Sequence, residues 1–177
     1  MRPDFFKSNI RIKEFTAENI RSAFFKILDF RVLGGKIIGY GNSLEKNDLV
    51  SSFKIENGII YGDTLDIDDN NIYSSSIDMD LLQYKNILME NINISNINLE
   101  NILKVFNELK IDIIPENFNK LICKCNCNIE QPCQHIIALY FKFIDNIQIN
   151  KDIIMELFAL GFTTEEIKLH LEKKTNN

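Results

Sequence analysis

The sequence predicts an α+β fold, a small antiparallel sheet early in the chain with helices around and after it. Three observations carry that expectation. Residues 49–55 and 59–65 are strand-like runs joined by Glu56-Asn57-Gly58, and Asn-Gly is a strong hairpin signal because both residues tolerate positive φ. Residues 17–29, 81–89 and 98–109 carry apolar side chains at helical spacing. Four cysteines then fall within eleven residues, just ahead of a strongly apolar helical run at 136–144. Strands grouped early and helices late make the α+β pattern.

In chain order, Thr16 is placed to cap a helix over 17–29, whose stripe is Ile20, Ala23, Phe24, Ile27 and Leu28. Gly34, Gly35, Gly39 and Gly41 break the helical pattern and read as tight turns. Lys36 beside them lacks the Gly-Lys-Ser/Thr ending and the preceding buried strand of a phosphate loop. A third strand at 71–77 follows the acidic stretch 66–70. That stretch lacks the twelve-residue ligand pattern of a calcium loop with its terminal Glu, so it reads as a solvated turn. The Asn/Ile-rich residues 91–98 link two helices. Residues 152–160 and 165–172 form a helical hairpin, with Gly161 at the C′ position and Thr163-Thr164-Glu165-Glu166 as a capping box. Phe158 and Phe162 are expected against the 136–144 helix. Three regions result: 1–110, 111–147 and 148–177.

Composition bounds the function. The chain has 177 residues, 45% hydrophobic and 25% charged, average values for a globular protein. No apolar run approaches the ~18–20 residues of a spanning helix and the first residues lack a signal-peptide core, so a soluble cytoplasmic protein is expected. The 30 Ile and 22 Asn reflect a bias that no packing rule demands. A net charge of −5 excludes a protein that coats DNA by bulk charge. The charge is uneven: residues 1–36 hold eight Lys/Arg against four Asp/Glu, the remainder twelve against twenty-one. Arg2, Arg11, Arg21 and Arg31 all lie in that first part, and arginine suits bidentate phosphate contacts. They are candidate nucleic-acid contacts. The alternatives are pairing with an acidic partner and packing beside the chain's own acidic remainder.

The chemistry is concentrated in Cys123, Cys125, Cys127, Cys133 and His135. Disulfides among such close neighbours would close only trivial loops, so the cluster reads as a metal site. Residues 121–127 alternate, which puts three thiols on one face of an extended strand. Cys133 and His135 stand at the start of the apolar helix, whose N-terminus favours thiolate. Cys-x-Cys with Cys-x-His gives a closed tetrahedral Zn²⁺ site. Five candidates exceed four coordination positions, so one thiol is a spectator. Catalysis has no constellation. The one well-placed histidine is a ligand, and four protein ligands leave a zinc no open position. A single structural zinc in a non-enzyme is expected.

Cys-x-Cys, a short loop, then Cys-x-His and an aliphatic helix resembles the SWIM zinc finger. Gly35-Lys36-Ile37-Ile38-Gly39-Tyr40-Gly41 is similar to the family's glycine-bearing stretch ahead of its sheet. Pro115-Glu116-Asn117-Phe118 resembles its proline step, and residues 153–171 its tail helices. Where the family usually has Lys or Arg between the last Cys and His, this chain has Gln134. Cys125, Cys133 and His135 are ligands in either register. Cys123 leaves the family's usual loop length and is favoured as the fourth, whereas Cys127 fits the spacing from Pro115 better. The resemblance implies an accessory or adaptor protein in DNA repair or recombination, with a helicase or a RecA-family recombinase paralogue as partner. Its presented surface would be Asn126, Asn128, Gln134 and the outer face of 136–142. The alternative is direct DNA binding by the finger and the arginine-bearing N-terminus.

Overall fold

The computed structural model describes residues 16–91, 99–111, 114–150, 153 and 156–157. Thr16 caps helix α1 (Ala17–Lys26), its side chain accepting from the Asn19 N–H at 3.2 Å and satisfying a first-turn donor. The stripe Ile20, Ala23, Phe24, Ile27 and Leu28 is buried as its spacing implies. The helix stops short of Asp29, and a four-residue turn of helix, α2 (Phe30–Leu33), follows.

The glycine cluster departs from expectation. Only Gly34, with φ 84, makes a turn; Gly35, Gly39 and Gly41 lie within helix α3 (Gly35–Lys46). Glycine disfavours helix, but Ile38, Gly41 and Leu44 make a buried stripe, and tertiary packing overrides propensity.

Strands β1 (Val50–Glu56) and β2 (Ile59–Asp66) form the expected hairpin, with Asn57 at φ 52 and Gly58 at φ 78. β3 (Asn71–Asp78) pairs antiparallel with β2, from Ile59↔Asp78 to Asp66↔Asn71. β4 (Ile122–Cys125) joins β3 through Ser75↔Cys125 and Ile77↔Cys123, giving a four-stranded antiparallel sheet in the order β1-β2-β3-β4. At the β1 edge the register slips between Ser51 and Lys54, an irregularity that blunts an open edge.

Between β3 and β4, a 3₁₀ turn at Leu81–Tyr84 leads into α4 (Lys85–Asn91), and α5 (Leu99–Glu108) follows. The stretch 92–98 lies outside the described residues.

Helix α6 (Gln134–Ile149) is the centre of the core and packs on all four strands, α1 and α3. Every side chain from His135 to Phe141 is buried, as are Phe143, Ile144 and Ile147. Two glycines set its distance from its neighbours. A Cβ on Gly62 would stand 2.6 Å from Leu139 Cδ1, and one on Gly41 2.7 Å from Ile137 Cγ2 and 2.9 Å from the Gln134 carbonyl oxygen. Phe24 meets Phe143 edge-on at 5.0 Å, and the Tyr140 hydroxyl donates to the Phe24 carbonyl at 2.8 Å. Residues 136–141 therefore present no outer face; Lys142, bonded to Asp48, is the first side chain to reach solvent. A helix this apolar cannot leave one side in water.

Ile153 and Leu157 are buried in the same core. The rest of the expected C-terminal hairpin, with Phe158, Gly161 and Phe162, lies outside the described residues. Among those described, no helix is long and apolar enough to cross a membrane.

Candidate metal centre

Strand pairing fixes the first thiol. Ser75↔Cys125 is the last β3–β4 pair, and one residue on Asn126 ties the outgoing chain to Ser74 by its N–H at 3.2 Å and its side-chain oxygen at 3.0 Å. Cys127 follows as the chain turns. Cys133 is the N-cap residue of α6 and His135 lies in its first turn. His135 Nδ1 stands 3.6 Å from Cys125 Sγ and 3.6 Å from Cys133 Sγ. One ligand atom from each of Cys125, Cys127, Cys133 and His135 lies within 4.8 Å of all the others, and the four cysteines are free of disulfides. This Cys₃His group could hold a metal ion. Cys133 and His135 are fully buried, Cys125 and Cys127 partly so.

Cys123 is not in the group, which corrects the register favoured from the sequence. It faces inward like Cys125, but its pairing with Ile77 places it one pleat away, lining a small cleft with Phe118, Leu121 and Pro132. Burial without a partner pushes its thiol up to about 12. Cys127 joins the group because it lies past the end of β4, where the chain turns toward Cys133 and His135. Three thiols alternating along a strand share a face; they do not share a point.

The sulfurs and the imidazole polarise one another. Bonds from the Cys133 thiol and the His135 ring hold Cys125 well below the ordinary thiol range, and the same contact with Cys125 pushes Cys133 up. Burial opposes a charged His135, but Cys125 and Asp66 outweigh it and the ring is held at about 9. Tyr73 stacks on that ring with centroids 4.3 Å apart and planes at 22°. Its hydroxyl donates to Asp69.

Asp66 is the residue that sequence reasoning missed. The acidic stretch 66–70 reads as a solvated turn, and residues 67–70 are exposed, but Asp66 is only 4% exposed. Its Oδ2 accepts from His135 Nε2 at 2.8 Å and from Gln134 Nε2 at 3.3 Å. Burial would raise its carboxyl, yet the Asp68 N–H, His135, Tyr40 and Gln134 together hold it near 2. The signal was present in the strand's parity: Ile60, Gly62, Thr64 and Asp66 share the buried face.

Of the candidate nucleic-acid residues, Arg21 forms a 3.0 Å ion pair with Asp145 on α6, so it serves the packing of α1 on α6. Arg31 is about 90% exposed, with Asp29 at 3.6 Å. Arg2 and Arg11 lie outside the described residues. Asn126 and Gln134, expected on a presented surface, are both engaged by their own fold.

No protein-family model matches the chain, and no curated protein or solved structure matches it.

Proposed function

We propose that the chain is a zinc-binding adaptor protein. Cys125, Cys127, Cys133 and His135 hold one structural Zn²⁺, and the SWIM-type finger so formed fixes a surface for a helicase or recombinase-paralogue partner in DNA repair or recombination. The observation that supports this most is the convergence of three thiols and one imidazole nitrogen within 4.8 Å without a disulfide. Tetrahedral Zn²⁺, with Zn–S about 2.3 Å and Zn–N about 2.0–2.1 Å, separates nitrogen from sulfur by about 3.5 Å. His135 Nδ1 lies 3.6 Å from two sulfurs. Thiolates with imidazole favour zinc over hard cations. Four protein ligands leave no position for a reacting water, so the metal's role is to brace the strand against the helix start.

The partner class rests on the SWIM resemblance, and the acidic body favours a protein over DNA as the main ligand. Arg21 is paired with Asp145 of its own chain. Metal analysis tests the first half of the proposal: Cys123→Ser is expected to retain one zinc per chain, whereas Cys127→Ser loses it. Retention by Cys127→Ser and loss by Cys123→Ser would reverse the ligand assignment. Sedimentation of the intact chain with a recombinase paralogue or helicase of the same organism, with and without chelator, tests the second. A complex that dissolves on chelation supports the adaptor. No complex, with salt-sensitive duplex binding that weakens in Arg11→Gln and Arg31→Gln, would replace it with the DNA-binding alternative.

A further inference from the structure

Asp66 receives more donors than a turn needs. Its Oδ1 accepts from the Tyr40 hydroxyl at 2.8 Å and from the Asp68 N–H at 3.0 Å, while its Oδ2 accepts from His135 and Gln134. One carboxylate thus joins α3, the β2–β3 turn and the first turn of α6. Burying a carboxylate is costly unless its lone pairs are satisfied, and here both oxygens are. Its neighbours on the same face of β2 are Ile60, Gly62 and Thr64, so the apolar core gives no reason for a charge at this point.

Resting on the metal-site reading above, we infer that Asp66 is a positioning residue of the centre. By accepting the Nε2 proton of His135 at 2.8 Å, it keeps that proton in place, so the nitrogen that can give up its proton to a metal is Nδ1, which faces Cys125 and Cys133. A carboxylate behind a ligating imidazole also makes the ligating nitrogen more basic. Tyr73, stacked on the ring, holds its plane, so Asp66 sets the proton and the direction while Tyr73 sets the tilt. Tyr40 supports the carboxylate through the other oxygen.

The test is metal affinity combined with the identity of the ligating nitrogen. Zn²⁺ is titrated into the intact apo-protein in competition with a chromophoric chelator. ¹¹³Cd-loaded protein is then examined by NMR for coupling to the His135 Hδ2 proton, which is transmitted only through Nε2 ligation. The wild type is expected to show Nδ1 ligation, with no Hδ2 coupling. Asp66→Ala is expected to bind about 10–100-fold more weakly and to admit Nε2 ligation. Asp66→Asn keeps an acceptor of the same shape, and is expected to retain Nδ1 ligation with an affinity reduced by loss of the charge. Asp66→Asn binding as tightly as wild type, or Asp66→Ala retaining both tight binding and pure Nδ1 ligation, would overturn the assignment. A wild-type chain that binds no metal would instead overturn the metal-site reading itself.

Discussion

A strong chelator is expected to lower the melting temperature of the proposed zinc-bound chain by about 8–20 °C, read by circular dichroism. A ligand held only by the native state adds RT ln(1 + [L]/Kd), about 4–5 kcal/mol when free metal exceeds Kd by a few thousand-fold. A chain of this length shifts by roughly 2–4 °C per kcal/mol. The fold is expected to survive the loss in cold buffer. From Ile136 to Ile147 most of α6 is buried against α1, α3 and the sheet, and that packing does not pass through the ligands. Cys133→Ala should reproduce the chelated melting curve and become insensitive to chelator. Identical melting of the wild type with and without chelator would refute the metal centre.

Gly39→Ala and Gly41→Ala, two residues apart on one helix, are expected to move stability in opposite directions. A Cβ on Gly39 meets nothing within 4 Å, so alanine gains helix propensity of up to about 1 kcal/mol, raising the melting temperature by roughly 2–4 °C. On Gly41 the same atom would stand 2.7 Å from Ile137 Cγ2 and 2.9 Å from the Gln134 backbone oxygen. The backbone oxygen cannot swing aside as a side chain can, so α3 and α6 must separate. Such overpacking costs about 1–3 kcal/mol, which exceeds the propensity gain over most of its range. Gly41→Val adds two further methyl groups to the clash and should lower the melting temperature by more than 5 °C. Because Gln134 adjoins two ligands, Gly41→Val should also weaken metal binding, whereas Gly39→Ala should not. Stabilisation by Gly41→Ala would show that the two helices are not in close contact there.

These contrasts mark what could be read from the sequence. Local chemistry was legible: the Thr16 cap, the Asn57-Gly58 hairpin and the convergence of thiols ahead of an apolar helix each follow from neighbouring residues. Two misreadings share one cause, which is contact at long sequence separation. Gly41 looked like a turn because glycine is a poor helix former, and only the close approach of Ile137 explains its place in a helix. Asp66 looked solvated because its neighbours are acidic, and the partner that buries it is 69 positions away. The preference for Cys123 over Cys127 rests on the loop length that the SWIM resemblance implies, and alternation along a strand predicts only which face a side chain takes. It does not predict how the chain turns when the strand ends.

The two spans that meet at His135 differ greatly in length, which predicts an order of assembly. Cys125 and His135 are ten positions apart, whereas His135 and Asp66 are separated by 69. Closing the shorter loop costs less chain entropy, and local contacts form sooner than distant ones. On a growing chain the first three strands emerge before any of the thiols. An ion at the proposed site would then be expected to gather Cys125, Cys133 and His135 as a local unit before they dock on the sheet. Asp66, already in place at the end of β2, is positioned to receive the histidine last, as a latch on a loop that has already closed.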